Sequence, residues 1–105
     1  MSPNPRLALW DYTARRLKLP APLKLILLTI ANYIEPNGAQ SRVSLALLSR
    51  DSSLEAQDIQ PLLLVLEAQD LVRKVTVYPQ SGGPTVSLYS LSPSLLRAVQ
   101  NPEAR

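Results

Sequence analysis

Any chemistry in this chain has to be done without histidine or cysteine, since neither occurs among its 105 residues. That removes the usual general base, the commonest metal ligands and any thiolate nucleophile. An enzyme would need paired carboxylates, a Ser/Lys arrangement or a phosphate loop instead. Ser81-Gly82-Gly83-Pro84 is glycine-rich but lacks the lysine and the following helix of a phosphate loop. Asp51, Glu55 and Asp58 fall at turns and helix starts, where capping accounts for them. The sequence therefore reads as non-enzymatic, with no cofactor, no metal and no small-molecule substrate.

Cations and amides are what remain. Arg42, Arg50, Arg73 and Lys74 can contact phosphates, and Gln57 and Gln60 can pair bidentately with adenine, with Ser52 and Ser53 just before them in the chain. The formal charge is +3, unevenly spread: residues 1–50 hold seven basic and two acidic side chains, residues 51–105 four and six. A basic half attracts phosphate or an acidic protein surface. A solvated surface of mixed sign accounts for so small a net charge equally well.

The stretch that must position these residues is Ser44 to Val72. Leu45, Leu47 and Leu48 form a short apolar segment, and Ser49-Arg50-Asp51-Ser52-Ser53 breaks it. Leu54, Ile59, Leu62, Leu63, Leu66 and Leu71 then recur at spacings near three and four, which predicts a helix with one buried face. Ser52-x-x-Glu55 has the form of a capping box, and Ser44 is placed to cap the shorter helix. Pro61 lies inside the second pattern. It implies either a helix from Leu54 or Glu55 distorted around the proline, or one whose regular part starts near Asp58 with Pro61 in its first turn. Leu62 to Leu66 is apolar at five consecutive positions, about 500° of helix, so Leu64 and Val65 are expected on the outer side as an interface. Folding of a terminal helix over them is the other outcome.

Around this unit, Pro5 to Lys18 is read as an amphipathic helix with Leu7, Trp10, Ala14 and Leu17 inward and Trp10 anchoring the core. Leu23 to Ile34 is the most apolar segment, so the central helix is expected over 22–34, with Pro22 in its first turn and Glu35-Pro36-Asn37-Gly38 ending it. A short extended piece is expected over Ala39–Val43. After Asp70 the period changes to two: Arg73–Tyr78 and Thr85–Leu91 predict a hairpin with a loose glycine-rich tip. Ser92-Pro93 opens a last helix with Leu95, Leu96 and Val99 on one side. The expectation is one domain over residues 1–105, mainly α with a small β-hairpin, divided at 5–18, 22–34, 44–72, 73–91 and 93–100. Hydrophobic content of 46% argues against disorder. No apolar run approaches the roughly 18 residues of a membrane span, and MSPNPRLALW lacks a signal-peptide pattern, so a cytoplasmic location is expected.

The order helix, helix, helix-turn-helix, hairpin resembles the bacterial winged helix-turn-helix family of phage and plasmid replication proteins and small regulators. The residues that carry the resemblance are Leu23–Tyr33 before Asn37-Gly38, then Leu48-Ser49…Ser52-Ser53-Leu54-Glu55 at the turn. Leu66-Glu67-Ala68-Gln69-Asp70-Leu71-Val72 at the helix end and Tyr89-Ser90-Leu91 in the closing strand complete it, over roughly residues 20–92. It implies a winged helix with an extra N-terminal and a short C-terminal helix, and double-stranded DNA as partner. Two departures bear on function. Where relatives carry bases on the recognition helix, this chain has Glu55, Ala56, Gln57, Asp58, Gln60 and Pro61. Where they carry glycine before that helix and before the wing, it has Ser53 and Asp70.

Two functions follow. One is DNA binding in transcription or replication, with Arg42, Arg50, Arg73 and Lys74 on phosphates and Gln57 and Gln60 towards bases. The other is a winged helix turned to protein binding, as a homodimer, adaptor or inhibitor that meets its partner through Leu64 and Val65.

Overall fold

The computed structural model describes residues 5–34 and 42–100. Its elements are α1 (Pro5–Arg15), α2 (Ala21–Ala31), β1 (Val43–Ser44), α3 (Leu45–Ser52), α4 (Ala56–Ala68), β2 (Val72–Val77), β3 (Val86–Leu91) and α5 (Pro93–Gln100). The turn expected at Glu35–Gly38 lies outside the described residues.

Helix α2 is central, as its composition requires. Pro22 fits the first turn, and Leu23, Ile26, Leu27, Ile30 and Ala31 are buried. Thr29 is buried too, its hydroxyl donating to the Leu25 carbonyl at 2.7 Å. The helix packs against α1, α3, α4 and β3. It stops three residues earlier than expected, because Tyr33 and Ile34 bond back to Ile30 and Ala31 in tighter turns, yet Ile34 stays buried.

Helix α1 corrects the sequence reading. It ends at Arg15 instead of Lys18, closed by bonds from Arg16 and Leu17 to the Tyr12 carbonyl. Its inward face carries Leu9 and Thr13, with Tyr12 and Leu17 half-buried. Trp10 is 37% and Leu7 57% exposed and Ala14 is exposed too, so these expected inward residues lie outside the buried core and Trp10 is not its anchor. Both stripes have helical spacing. The one built on slim Thr13 lets α1 lie close against α2, which an indole at the contact would prevent.

The turn between α3 and α4 is built by serines. Ser44 caps α3 as expected, its Oγ accepting from the Leu47 N–H at 3.2 Å. Ser53 ends it in the left-handed region, φ 63°. The Ser49 hydroxyl donates to the Leu54 carbonyl at 2.6 Å and Ser52 Oγ accepts from the Leu54 N–H at 3.2 Å. The expected capping box therefore does not form. Ser52 belongs to α3, and Glu55 caps α4 through its backbone alone, since its side chain makes no cap bond. Helix α4 starts at Ala56 and runs through Pro61, which faces solvent. The Gln57 carbonyl loses its helical donor there, at a position where water can replace it. Ile59, Leu63 and Leu66 point into the core.

The C-terminal end of α4 is a Schellman arrangement. Asp70, at φ 59°, donates its N–H to the Glu67 carbonyl, and Leu71 donates to Leu66. The chain passes straight into β2. Strands β2 and β3 pair antiparallel, and β1 adds to the far side of β3, giving the order β1-β3-β2. One face of this sheet carries Val43, Val72, Tyr89 and Leu91 into the core. Ser92 locks the end. Its Oγ donates to the Asp70 carbonyl at 2.5 Å and accepts from the Leu95 N–H at 3.1 Å, while its N–H bonds the Leu71 carbonyl at 3.0 Å. Helix α5 then buries Leu95 and half-buries Leu96 and Val99, as predicted.

No helix among the described residues is long and apolar enough to cross a membrane.

Candidate functional site

Helix α4 offers its outer face without a single cation. Gln57, Asp58, Gln60, Pro61, Leu64 and Val65 are all exposed, Leu64 by 65% and Val65 by 41%. Among the described residues neither α1 nor α5 covers Leu64 and Val65. The carboxylates Glu55 and Asp58 stand at the N-terminal end of this face, beside Gln57 and Gln60.

Of the serines in the turn, Ser52 is buried and committed to the Leu54 N–H, whereas Ser53 is exposed. Arg50 is not a free cation. Its Nε donates to Asp51 Oδ1 at 2.8 Å and its Nη2 to the Tyr33 hydroxyl at 3.3 Å. Tyr33 in turn donates to Asp51 Oδ2. The bond from Arg50, then that from Tyr33, holds the Asp51 carboxyl below its ordinary range, and the same contacts with Asp51 push the Tyr33 phenol up. Other bases in the first half have local work as well: Lys24 donates to the Ala14 carbonyl, Arg6 to the Ile34 carbonyl, and Arg15 pairs with Asp11.

Arg42 and Arg73 are a different case. Arg73 stands opposite Ser90 in the β2–β3 register, and Arg42, one residue before the Val43–Tyr89 pair, reaches the same level from the other side. The two exposed arginines therefore flank Ser90 on the sheet face turned away from the core. They line one concavity of about 230 Å³ with Val75, Ser90, Leu91 and Pro93. Among the described residues neither has a carboxylate partner. Lys74 is also exposed but alternates to the opposite face, level with Tyr89.

The expected site thus splits in two. Gln57, Gln60 and Ser53 lie at the start of α4, Arg42 and Arg73 converge on the sheet, and Arg50 is tied down between them. The role of Ser90 as the residue between the arginines was absent from the sequence reading. It needs the register of three strands, one of them only two residues long. Among the described residues no group of three acidic side chains is placed to hold a metal ion.

No family model, curated protein or solved structure matches this chain.

Proposed function

We propose that the chain is a winged helix-turn-helix module that binds double-stranded DNA, in transcription or replication as the resemblance to phage and plasmid proteins implies. In this reading α3, the serine turn and α4 are the helix-turn-helix, and the β2–β3 hairpin is the wing. The observation that carries it is the convergence of Arg42 and Arg73, without carboxylate partners among the described residues, on one groove of the sheet that bears the β2–β3 hairpin. The two positions where related chains have glycine, Ser53 and Asp70, are also its left-handed non-glycine residues. Arg42, Arg73 and Lys74 supply backbone contacts, and Gln57 and Gln60 are the amides available to base edges.

Binding to a random-sequence duplex, followed across a series of salt concentrations, tests this. Retention at low salt should fall with a log–log slope of about −0.9 for each phosphate neutralised. A protein that ignores duplex even at low ionic strength would end the proposal.

The cation-free face of α4 supports a second reading, protein binding through exposed Leu64 and Val65. Burying such side chains stabilises a contact by roughly 1.5–3 kcal/mol each. On this reading Leu64→Asp with Val65→Asp reduces the solution mass of the assembly while the helical circular-dichroism signal is kept. An unchanged mass with the fold intact removes it.

A further inference from the structure

From the register of the sheet we infer that Arg42 and Arg73 form a two-sided clamp on a single phosphate of the DNA backbone, with Ser90 as its base; this rests on the DNA-binding reading above.

The geometry comes from strand spacing. Neighbouring strands are about 4.8 Å apart, so the backbones of Arg42 and Arg73, separated by β3, stand about 10 Å from one another. Both side chains leave the same face of the sheet, since both are level with Ser90. They line the same concavity of about 230 Å³. That is many times the space one water needs, so a single phosphate group can enter it.

The chemistry suits that occupant. A guanidinium presents a planar fork that matches two phosphate oxygens, and two forks from opposite sides engage one tetrahedral anion without competing for the same oxygen pair. Val75, on the same face as Arg73, and Pro93 give the groove apolar walls beside the two guanidiniums. Between them the Ser90 hydroxyl adds a neutral donor. Two like charges without a carboxylate partner among the described residues repel each other in one groove, and a shared anion relieves that repulsion.

Counterion counting distinguishes a clamp from two separate contacts. The salt slope reports phosphates neutralised, not arginines engaged. If both arginines hold one phosphate, Arg42→Ala or Arg73→Ala alone weakens binding at every salt concentration but leaves the slope nearly unchanged, because the other arginine still neutralises that phosphate. The double variant then lowers the slope by about 0.9. With separate phosphates, each single variant lowers it by about 0.9 and the double by about 1.8. The measurement is fluorescence anisotropy of a labelled random duplex, with thermal melting to verify the fold; Arg42→Gln and Arg73→Gln replace the alanine variants if melting falls. Additive slopes overturn the clamp and leave DNA binding standing. Slopes and affinities untouched in all three variants overturn it as well, placing the DNA elsewhere on the molecule. Failure of the unaltered chain to bind duplex overturns the clamp together with the function it rests on.

Discussion

Asp51 illustrates how one carboxylate can decide what a neighbouring cation is available for. Arg50 sits in the last turn of α3, where its charge faces outward, but the carboxylate beside it and the Tyr33 hydroxyl hold it. Because Asp51 titrates below its ordinary value in the folded chain, its contribution to stability is complete above the unfolded carboxylate pKa. That contribution is lost as pH falls through the lower folded value. Proton titration of the Asp51 carboxyl by NMR should place its midpoint below 3.8, and Arg50→Ala should move it back up. If the chain binds DNA as proposed, the carboxylate itself can be tested. Asp51→Asn removes a negative charge and releases Arg50, so duplex retention at low salt should rise; a fall would mean that the ordered Arg50–Asp51–Tyr33 arrangement itself touches DNA. Tyr89 sets the alkaline side. Burial, and then the Glu67 charge, raise its pKa above 10.0, so its share of stability is intact below about pH 10 and is lost as pH rises through the folded value.

Among the elements, the two junctions carry backbone strain that glycine would relieve. A side chain in the left-handed region costs roughly 1–2 kcal/mol, part of which glycine gives back through its larger unfolded-state entropy. Ser53→Gly should therefore stabilise the fold by up to about 1 kcal/mol, read as a higher urea midpoint at constant slope. Asp70→Gly should gain less, because its carboxylate accepts the Ser94 hydroxyl at 2.7 Å. Equal gains at both sites would mean that the Ser94 bond contributes nothing. The sequence marked Ser53 and Asp70 only as departures from the glycines of the family it resembles; their left-handed backbone is a finding of the structure. The capping box was not legible, since a Ser-x-x-Glu string looks the same whether its serine starts one helix or ends the previous one. The face of α1 was illegible for a related reason: Leu7-Trp10-Ala14-Leu17 and Leu9-Tyr12-Thr13-Leu17 are both valid stripes. Only a partner helix chooses between them.

For the molecule as a whole, stability rests on α2. Leu27 and Ile30 are sealed on all sides, and Leu27→Ala should cost on the order of 2–5 kcal/mol, measured by chemical unfolding. A loss within about 0.5 kcal/mol, ordinary for a surface site, would contradict the packing described. That helix, the hairpin and the last helix were readable because continuous apolar runs and alternating β-branched residues leave few ways to bury them. The grouping of cations was not readable. Charge counts along the chain suggested a basic first half, but Arg6, Lys24, Arg15 and Arg50 are spent on carbonyls and carboxylates within it. The pair that remains together, Arg42 and Arg73, comes from the two ends of a path through α3 and α4.

The strand order leaves β2 at the rim of the sheet, with its outward backbone groups unpaired by any other described strand. A rim of this kind is a template for the same strand of another molecule, and natural sheets defend it with charge. Beyond Arg73 and Lys74 the strand and its exit are Val75, Thr76, Val77 and Tyr78, a β-prone and largely exposed run without a single charge. By that rule Arg73 and Lys74 are the charges that disfavour edge-to-edge pairing along β2. Concentrated solutions, high salt and polyanions all weaken that defence, the first by crowding rims together and the others by masking charge. Preparations in which Arg73 has been neutralised are the ones expected to turn cloudy first.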